Sequence, residues 1–440
     1  MPRTKCEILL ALVALLVIGI HLQYLLAVRT GVPHQDEWSG LYGMFHSLDS
    51  GGIGAWMVSH HNGHLSVPSK LAYYVAFNFW SLDLTPLRML NFPICLGAFL
   101  LTARAINLRV RRRFDRYYLY LGAAFIIFNL CLWEHFSQAS AFCVILAAVL
   151  GGVGLYFVCR GCEADSGRLS SMAYGITLVA ASALSFGLGY LAIAAGIAVP
   201  VLQQVGAWTR SAQPPRWRLL GHALLAVFAL IGLMSHPAFQ FSGRAFRTIH
   251  HFLLVLGSIM PSALEASPVA QNLAFVIGLM IALISLWILV DFLTTRPRRA
   301  APLSLFSLSL VLFGVLACAA VAVARPQLPD QEFLSSRYTL QPSIALLGIL
   351  LYVAGGRFFL MAHVWCLAAT GYSVATLKER AVAPHRPAVY QNIENAIRNA
   401  DSLSDEQLQG VLYWRENTPY VRSVAARLKK DRLNFFRHDK

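Results

Sequence analysis

Residues 34 to 64 concentrate ionisable side chains in a chain that is otherwise mostly apolar. Asp36 and Glu37 are adjacent, and five histidines share the stretch: His34, His46, His60, His61 and His64. Carboxylates and imidazoles can hold or release protons near neutral pH, as general acid–base catalysis requires. The stretch is therefore a candidate catalytic loop, with the acidic pair as the candidate base.

These residues also have other interpretations. Asp36 can cap a helix that begins near Trp38, and His60, His61 and His64 can make hydrogen bonds at a membrane interface. A divalent metal is a third alternative, because histidine and carboxylate are common metal ligands. The HHNGH stretch offers no fixed helical pair of ligands, so neither a metal nor any other cofactor is assigned.

The elements that position this loop follow from the hydrophobic pattern. Hydrophobic residues make up 57% of the 440 residues and charged residues only 13%, whereas soluble domains have about 25% charged residues. Apolar runs of about 17 to 25 residues can cross a bilayer core, and such runs must be helical. The chain is predicted to be an all-α polytopic membrane protein with about eleven spans, at 8–28, 86–108, 117–133, 139–159, 170–186, 188–204, 219–235, 271–294, 302–324, 340–355 and 358–377.

The basic residues orient these spans. A formal net charge of +15 is also typical of nucleic-acid-binding proteins, but here Lys and Arg cluster in alternate loops, as the positive-inside rule predicts. No nucleic-acid partner is therefore expected. The N-terminus is predicted to be cytoplasmic, and loop 29–85 to be periplasmic, in a bacterial inner membrane.

Two apolar segments are shorter than the predicted spans. A span at Val67–Trp80 would put the arginines at 109–116 on the outer side. This segment and residues 252–260 are therefore predicted to lie on the membrane surface.

Basic residues in the outer loops can bind phosphate. Lys70 is in the first of these loops, and Arg244 and Arg247 are spaced to share a helix face. Arg337 and Tyr338 stand at the outer start of a span, where arginines and aromatic residues are also common for purely structural reasons. Cations at this surface suit a lipid-linked phosphate group.

The chain resembles the GT-C superfamily of polyprenol-dependent glycosyltransferases. Asp36-Glu37-Trp38 follows the first span, where that family has an acidic motif, and HHNGH resembles an HNxHR-like element. Ser185 to Gly189 (SFGLG) and Ser335 to Tyr338 (SSRY) are similar to further elements. Leu65 stands where the relatives tend to have arginine, which weakens the expectation of phosphate binding at that position.

The resemblance implies a GT-C-like catalytic domain at 1–377 and a helical C-terminal segment at 378–440, expected to be periplasmic. It implies transfer of a sugar from a polyprenyl-phosphate donor to an acceptor at the periplasmic face, with inversion. A pentofuranose transferred to a type IV pilin is the most specific expectation. The implied bases are Asp36 and, as second candidate, Glu37, and the implied substrate- and phosphate-binding residues are His61, His64, Lys70, Arg244, Arg247, Arg337 and Tyr338.

Two other functions fit a polytopic chain. A transporter or flippase of a lipid-linked or anionic substrate would be expected to have ionisable residues inside its spans, and the predicted spans have few. A surface-polysaccharide polymerase or ligase would be a transferase with a different acceptor.

Overall fold

Long helices built from the apolar runs dominate the computed structural model, which describes residues 3–61, 63–162, 169–207, 245–260, 267–294, 302–354, 358–412 and 418–438. In chain order the α-helices are α1 (Arg3–Ala27), α2 (Glu37–Asp49), α3 (Ile53–Val58), α4 (Val67–Phe79), α5 (Thr85–Met89), α6 (Asn91–Arg109), α7 (Arg113–Ile127), α8 (Trp133–Ser137), α9 (Phe142–Gly161), α10 (Leu169–Ser185), α11 (Leu188–Ala207), α12 (Ala245–Leu256), α13 (Pro268–Thr294), α14 (Pro302–Ala324), α15 (Leu340–Val353), α16 (Phe358–Val382), α17 (Arg386–Arg398), α18 (Asp405–Leu412) and α19 (Thr418–Lys430). Strands β1 (His60–His61) and β2 (His64–Leu65) form an antiparallel hairpin. Short 3₁₀ helices occupy Leu130–Leu132, Asp330–Leu334, Ser336–Tyr338, Ala383–His385 and Asn434–His438.

Six helical stretches of the described residues are long and apolar enough to cross a membrane. They are Lys5–Ala27, Thr85–Leu108, Arg113–Ser137, Phe142–Gly161, Pro268–Leu293 and Leu305–Ala324. Large apolar side chains on α1, such as Leu12, Leu15 and Leu16, face outward, as expected for helices in contact with lipid. The expectation of an all-α protein with membrane-spanning helices is confirmed at this level.

The total of eleven spans stays a prediction. Helices α10, α11, α15 and α16 form where spans were predicted, but three of them contribute only shorter apolar stretches, Leu169–Ser185, Leu188–Ala198 and Leu340–Val353. The span predicted at 219–235 lies outside the described residues.

Small residues bring α9 and α10 into close contact within the main apolar core. A Cβ atom added to Gly154 would lie 2.5 Å from Val179 Cγ2, and one added to Gly175 would lie 2.7 Å from the Val158 nitrogen. Such close approach increases van der Waals contact where lipid offers no hydrophobic drive for association. This close packing fixes the C-terminal end of α10, from which the loop to α11 begins.

The two predicted surface segments have different outcomes. The first is a separate helix, α4, which buries Lys70 and Tyr73 and exposes Leu71 and Phe79. In the second, residues 253–256 at the end of α12 are buried against α13 and α14, so the prediction of a surface-lying segment is not supported for these residues. An apolar run too short to span a membrane can be buried by other helices as well as by lipid headgroups, and hydropathy alone does not distinguish the two.

A second, smaller core joins the first loop to the C-terminal segment. Its buried members include Trp38 and Leu41 of α2 and Val421 and Leu428 of α19. Asn434 strengthens the joint by donating hydrogen bonds to the backbone carbonyls of Gly31 and Leu82, at 2.9 and 2.6 Å. The loop 29–85 and the helices after residue 386 therefore pack as one body.

Candidate active site

The adjacent carboxylates of Asp36 and Glu37 face opposite ways. Gln35 has a positive φ of 51°, an uncommon conformation for a residue other than glycine. The turn places Asp36 at the N-cap position of α2, yet its exposed side chain makes no capping hydrogen bond. No ion pair or hydrogen bond to its carboxylate occurs within the described residues. Asp36 thus has an uncommitted carboxylate at the protein surface.

Glu37 is fully buried and fully paired. Its Oε2 lies 2.7 Å from Nη2 of Arg88 and accepts a 2.9 Å hydrogen bond from the His34 nitrogen. Its Oε1 accepts a hydrogen bond from the Ala139 nitrogen. Burial raises the pKa of Glu37, while Arg88 and the two backbone N–H groups act in the opposite direction. This placement does not support the second catalytic assignment, because an acceptor cannot reach a carboxylate with no exposed surface.

Arg88 is the structural partner that sequence reasoning missed. Besides Glu37, it donates a 2.8 Å hydrogen bond to the carbonyl of Val32 and lies 3.0 Å from His34 Nδ1. Its position did carry a signal, because it falls at the outer end of the predicted span 86–108. The positive-inside rule gives no reason for a cation there, and an ionisable residue inside a span needs a partner.

The β-hairpin places His61 beside Asp36. The turn between the strands includes Gly63 at φ 79°, where glycine is favoured. His61 Nε2 lies 3.4 Å from Ser39 Oγ, and Ser39 donates a 2.8 Å hydrogen bond to the carbonyl of Asp36. Burial lowers the pKa of His61, whereas the charge of Asp36 raises it and that of Lys70 lowers it, and the net downward shift favours the neutral imidazole. A neutral imidazole can orient a hydroxyl group without competing for the charge of Asp36.

His64 packs against the turn between α10 and α11. Its ring centroid lies 4.2 Å from that of Phe186, and a Cβ atom added to Gly187 would lie 2.5 Å from His64 Nδ1. Two motifs of the sequence, HHNGH and SFGLG, are therefore in contact although about 120 residues separate them. In the described structure His64 holds the hairpin in place, and ligand binding by His64 stays a prediction.

The ammonium group of Lys70 is occupied by hydrogen bonds within the protein. Its Nζ donates to the carbonyls of Trp56 and Ser59, both at 2.6 Å, and to the Ser59 hydroxyl at 3.0 Å. An ammonium group has three N–H donors, so this set occupies all of them. Burial lowers the pKa of Lys70 to about 8. The expected phosphate-binding role is not supported here, because the group is engaged and only 3% exposed.

Arg337 comes to the same surface from the loop between α14 and α15. Glu134 Oε2 accepts hydrogen bonds from the Arg337 nitrogen at 2.9 Å and from Ser335 Oγ at 3.0 Å, and it lies 3.6 Å from Arg337 Nε. Desolvation lowers the pKa of Arg337, but nearby negative charge, Glu134 first and Asp36 among the others, raises it. The guanidinium is about half exposed, so a ligand can contact it. The negative charge of Asp36 also acts on this guanidinium.

Tyr338 lies beneath this surface. It is only 5% exposed, and Arg325 lies over its ring at 5.7 Å. A ligand at the surface would not touch it in this arrangement. Tyr338 packs beneath Arg325, and its burial does not support the prediction that it binds substrate directly.

Arg247 belongs to a neighbouring contact. It lies on α12 with Nη2 3.4 Å from the Leu328 carbonyl. On the same helix, His250 and His251 lie 3.3 and 3.1 Å from the carboxylate oxygens of Asp330. These contacts fasten α12 to the loop that carries Arg337. Arg244 lies outside the described residues.

The site thus contains an exposed carboxylate, a neutral imidazole and a half-exposed guanidinium, contributed by loops far apart in the chain. In the portions of the chain that the structure describes, no three His, Cys, Asp or Glu side chains are grouped to hold a metal ion. No protein-family model, curated protein or solved structure matches this chain. Any function must therefore be argued from the arrangement itself and from the motif resemblance.

Proposed function

We propose that this chain is a membrane glycosyltransferase that moves a sugar from a polyprenyl-phosphate donor to an acceptor hydroxyl, with Asp36 as general base. One observation carries the proposal. Of two adjacent carboxylates, Glu37 is buried in an ion pair with Arg88, while Asp36 is exposed, unpaired among the described residues and near enough to His61 and Arg337 for its charge to raise the pKa of both. The likeness of these loops to GT-C motifs supports the same assignment.

The proposed reaction is a single inverting displacement. Asp36 accepts the proton of the acceptor hydroxyl as the acceptor oxygen bonds to the anomeric carbon. The bond from that carbon to the phosphate oxygen breaks, and the electron pair leaves with the phosphate. Arg337 stabilises the charge that develops on the leaving group through charge-assisted hydrogen bonds. His61 orients the acceptor.

We further propose a bacterial inner membrane as the location, with the site at the periplasmic face. The acceptor in this proposal is a serine or threonine of a pilin and the sugar is a pentofuranose. These finer assignments rest on the motif resemblance and on the charge-based orientation. A lipid-linked donor is consistent with a site at the outer ends of apolar helices.

The test compares Asp36→Asn with Glu37→Gln, two adjacent changes of the same kind. Mass spectrometry of envelope proteins and glycans, in cells with and without the chain, identifies the product. Asp36→Asn is expected to lower transfer by a factor of about 10² to 10⁴, the usual contribution of a general base, with no change in unfolding temperature. Glu37→Gln is expected to destabilise the purified protein by about 3–5 kcal/mol, because Arg88 loses its buried counter-ion.

Full activity of Asp36→Asn would contradict the proposal. If the transferred sugar is found on surface polysaccharide while the pilins stay unmodified, Asp36 remains the proposed base but the acceptor is a polysaccharide. Translocation of a lipid-linked substrate without any glycosyl product would assign the chain to transport instead.

A further inference from the structure

A groove opens between α6 and α9 on the side of the helix bundle. Its volume is about 360 Å³, within the size range of small-molecule sites. The walls are mostly apolar and include Leu101, Ile145, Val149, Phe157 and Ile344. Helices α7, α14 and α15 contribute the floor. The groove runs along α9 from Ile145 to Arg160, about 22 Å at about 1.5 Å per residue.

The two ends of the groove differ in charge. Arg104 and Arg160 line it where α6 and α9 approach their C-terminal ends, whereas Leu132 and Leu340 line the opposite end. Both arginines are exposed. Arg160 lies over the ring of Tyr156 at 6.0 Å, and among the described residues neither guanidinium has a carboxylate partner. The result is a mainly apolar channel with two arginines at one end, neither paired with a carboxylate among the described residues.

That combination matches one kind of molecule, a lipid with an anionic headgroup. The charged end lies on the side of the arginine-rich link between α6 and α7, which charge-based orientation assigns to the cytoplasm. Anionic phospholipids are enriched in that leaflet, and basic pockets between membrane helices bind their headgroups. Arginine pairs with phosphate through two parallel hydrogen bonds.

We propose that the groove binds one anionic phospholipid, with its phosphate on Arg104 and Arg160 and an acyl chain along α9. This site is at the end of the bundle opposite to Asp36 and Arg337. It does not depend on the proposed glycosyl transfer. A donor lipid engaged by Arg337 would place its phosphate at the other end.

Gly152 provides a way to test chain binding separately from headgroup binding. It lines the groove, and a Cβ atom added there would meet only Leu310 Cδ2, at an ordinary 3.6 Å. Its neighbour Gly151 differs, because an added Cβ would lie 2.9 Å from the Ala192 side chain. Gly152→Leu should therefore fill the groove without forcing the helices apart.

The experiment uses delipidated full-length protein in detergent and native mass spectrometry with phosphatidylglycerol or phosphatidylcholine. Phosphatidylglycerol is expected to bind the unaltered protein at one copy and more tightly than phosphatidylcholine. Arg104→Gln with Arg160→Gln should weaken it about 30-fold, from two lost headgroup contacts. Gly152→Leu should abolish binding of the single copy. Arg111→Gln with Arg112→Gln, an equal loss of charge beyond the end of α6, should leave it unchanged.

Three results would overturn the proposal. Equal binding of the two lipids would show that the arginines do not select an anion. Equal loss in the Arg111 and Arg112 variant would reduce the effect to general surface charge. Displacement of phosphatidylglycerol by a polyprenyl phosphate whose own binding ignores the Arg104 and Arg160 changes would assign the groove to the donor chain.

Discussion

At the scale of single residues, burial decides which ionisable groups remain available for chemistry. The first loop offers Asp36, Glu37, His61, His64 and Lys70, and the sequence makes all five candidates for a site, with Asp36 ahead of Glu37 as the base. The structure uses Glu37 and Lys70 to hold the loop together and leaves Asp36 uncommitted. A buried charge without partners is so costly that a folded loop must pair it, and only the remainder is free to react.

Lys70 gives this division a measurable pH dependence. Its pKa is about 8 in the folded protein, against 10.5 for an ordinary lysine. Between these values the unfolded chain binds more protons than the folded one, so the stability from this group rises with pH over that window. The unfolding temperature of the unaltered protein, relative to Lys70→Met, should therefore increase from about pH 8 to about pH 10. A difference between the two proteins that stays constant over that range would contradict the assignment.

At the scale of elements, the β-hairpin is positioned by a turn far away in the chain. The ring of His64 on β2 packs against that of Phe186 at an angle of 40°, and Gly187 leaves the space that the imidazole occupies. The same hairpin carries His61 to Ser39 and the backbone of Asp36. The turn between α10 and α11 therefore sets the position of the candidate site without any group of its own in it.

Gly187→Ala should disturb that position. The added methyl would lie 2.5 Å from His64 Nδ1, and overpacking of this kind costs about 1–3 kcal/mol. We expect a lower unfolding temperature and, if the proposed glycosyl transfer is correct, a lower transfer rate, because His61 moves with the hairpin. Gly97→Ala is the matched control, since an added Cβ there meets nothing within 4 Å. Equal stability of the two variants would show that the hairpin does not depend on this contact.

At the scale of the whole molecule, the C-terminal helices complete the first loop. Helix α19 packs on α2 through buried apolar side chains, and the ring of His34 lies 5.5 Å from that of Tyr390 on α17. The end of the chain thus reaches the residues that anchor Glu37. The buried apolar side chains of loop 29–85, among them Trp38, Met44 and Leu82, share one core with those of the C-terminal helices.

Leu428→Ala tests whether the two segments fold together. Leu428 is fully buried in this core, and removing such a side chain costs about 2–5 kcal/mol. Limited proteolysis should then cleave both the Ser50–Gly52 turn and the C-terminal helices. Arg427→Ala, which removes a partly exposed ion pair with Asp49 at 2.7 Å, should cost at most about 1 kcal/mol. Cleavage of the tail alone, with loop 29–85 still resistant, would contradict this joint core.

The sequence by itself determined the helical membrane architecture, the places of most long helices and the loop that holds the candidate base. Membrane spans are readable because each must be apolar over a continuous length, which is a local property of the chain. The sequence did not reveal that residues 253–256 are buried or that Glu37 pairs with Arg88, 51 residues away. Pairing and burial depend on contacts between distant segments, so only the tertiary structure decided that Glu37 is buried and paired while Asp36 is exposed, with no contact to its carboxylate among the described residues.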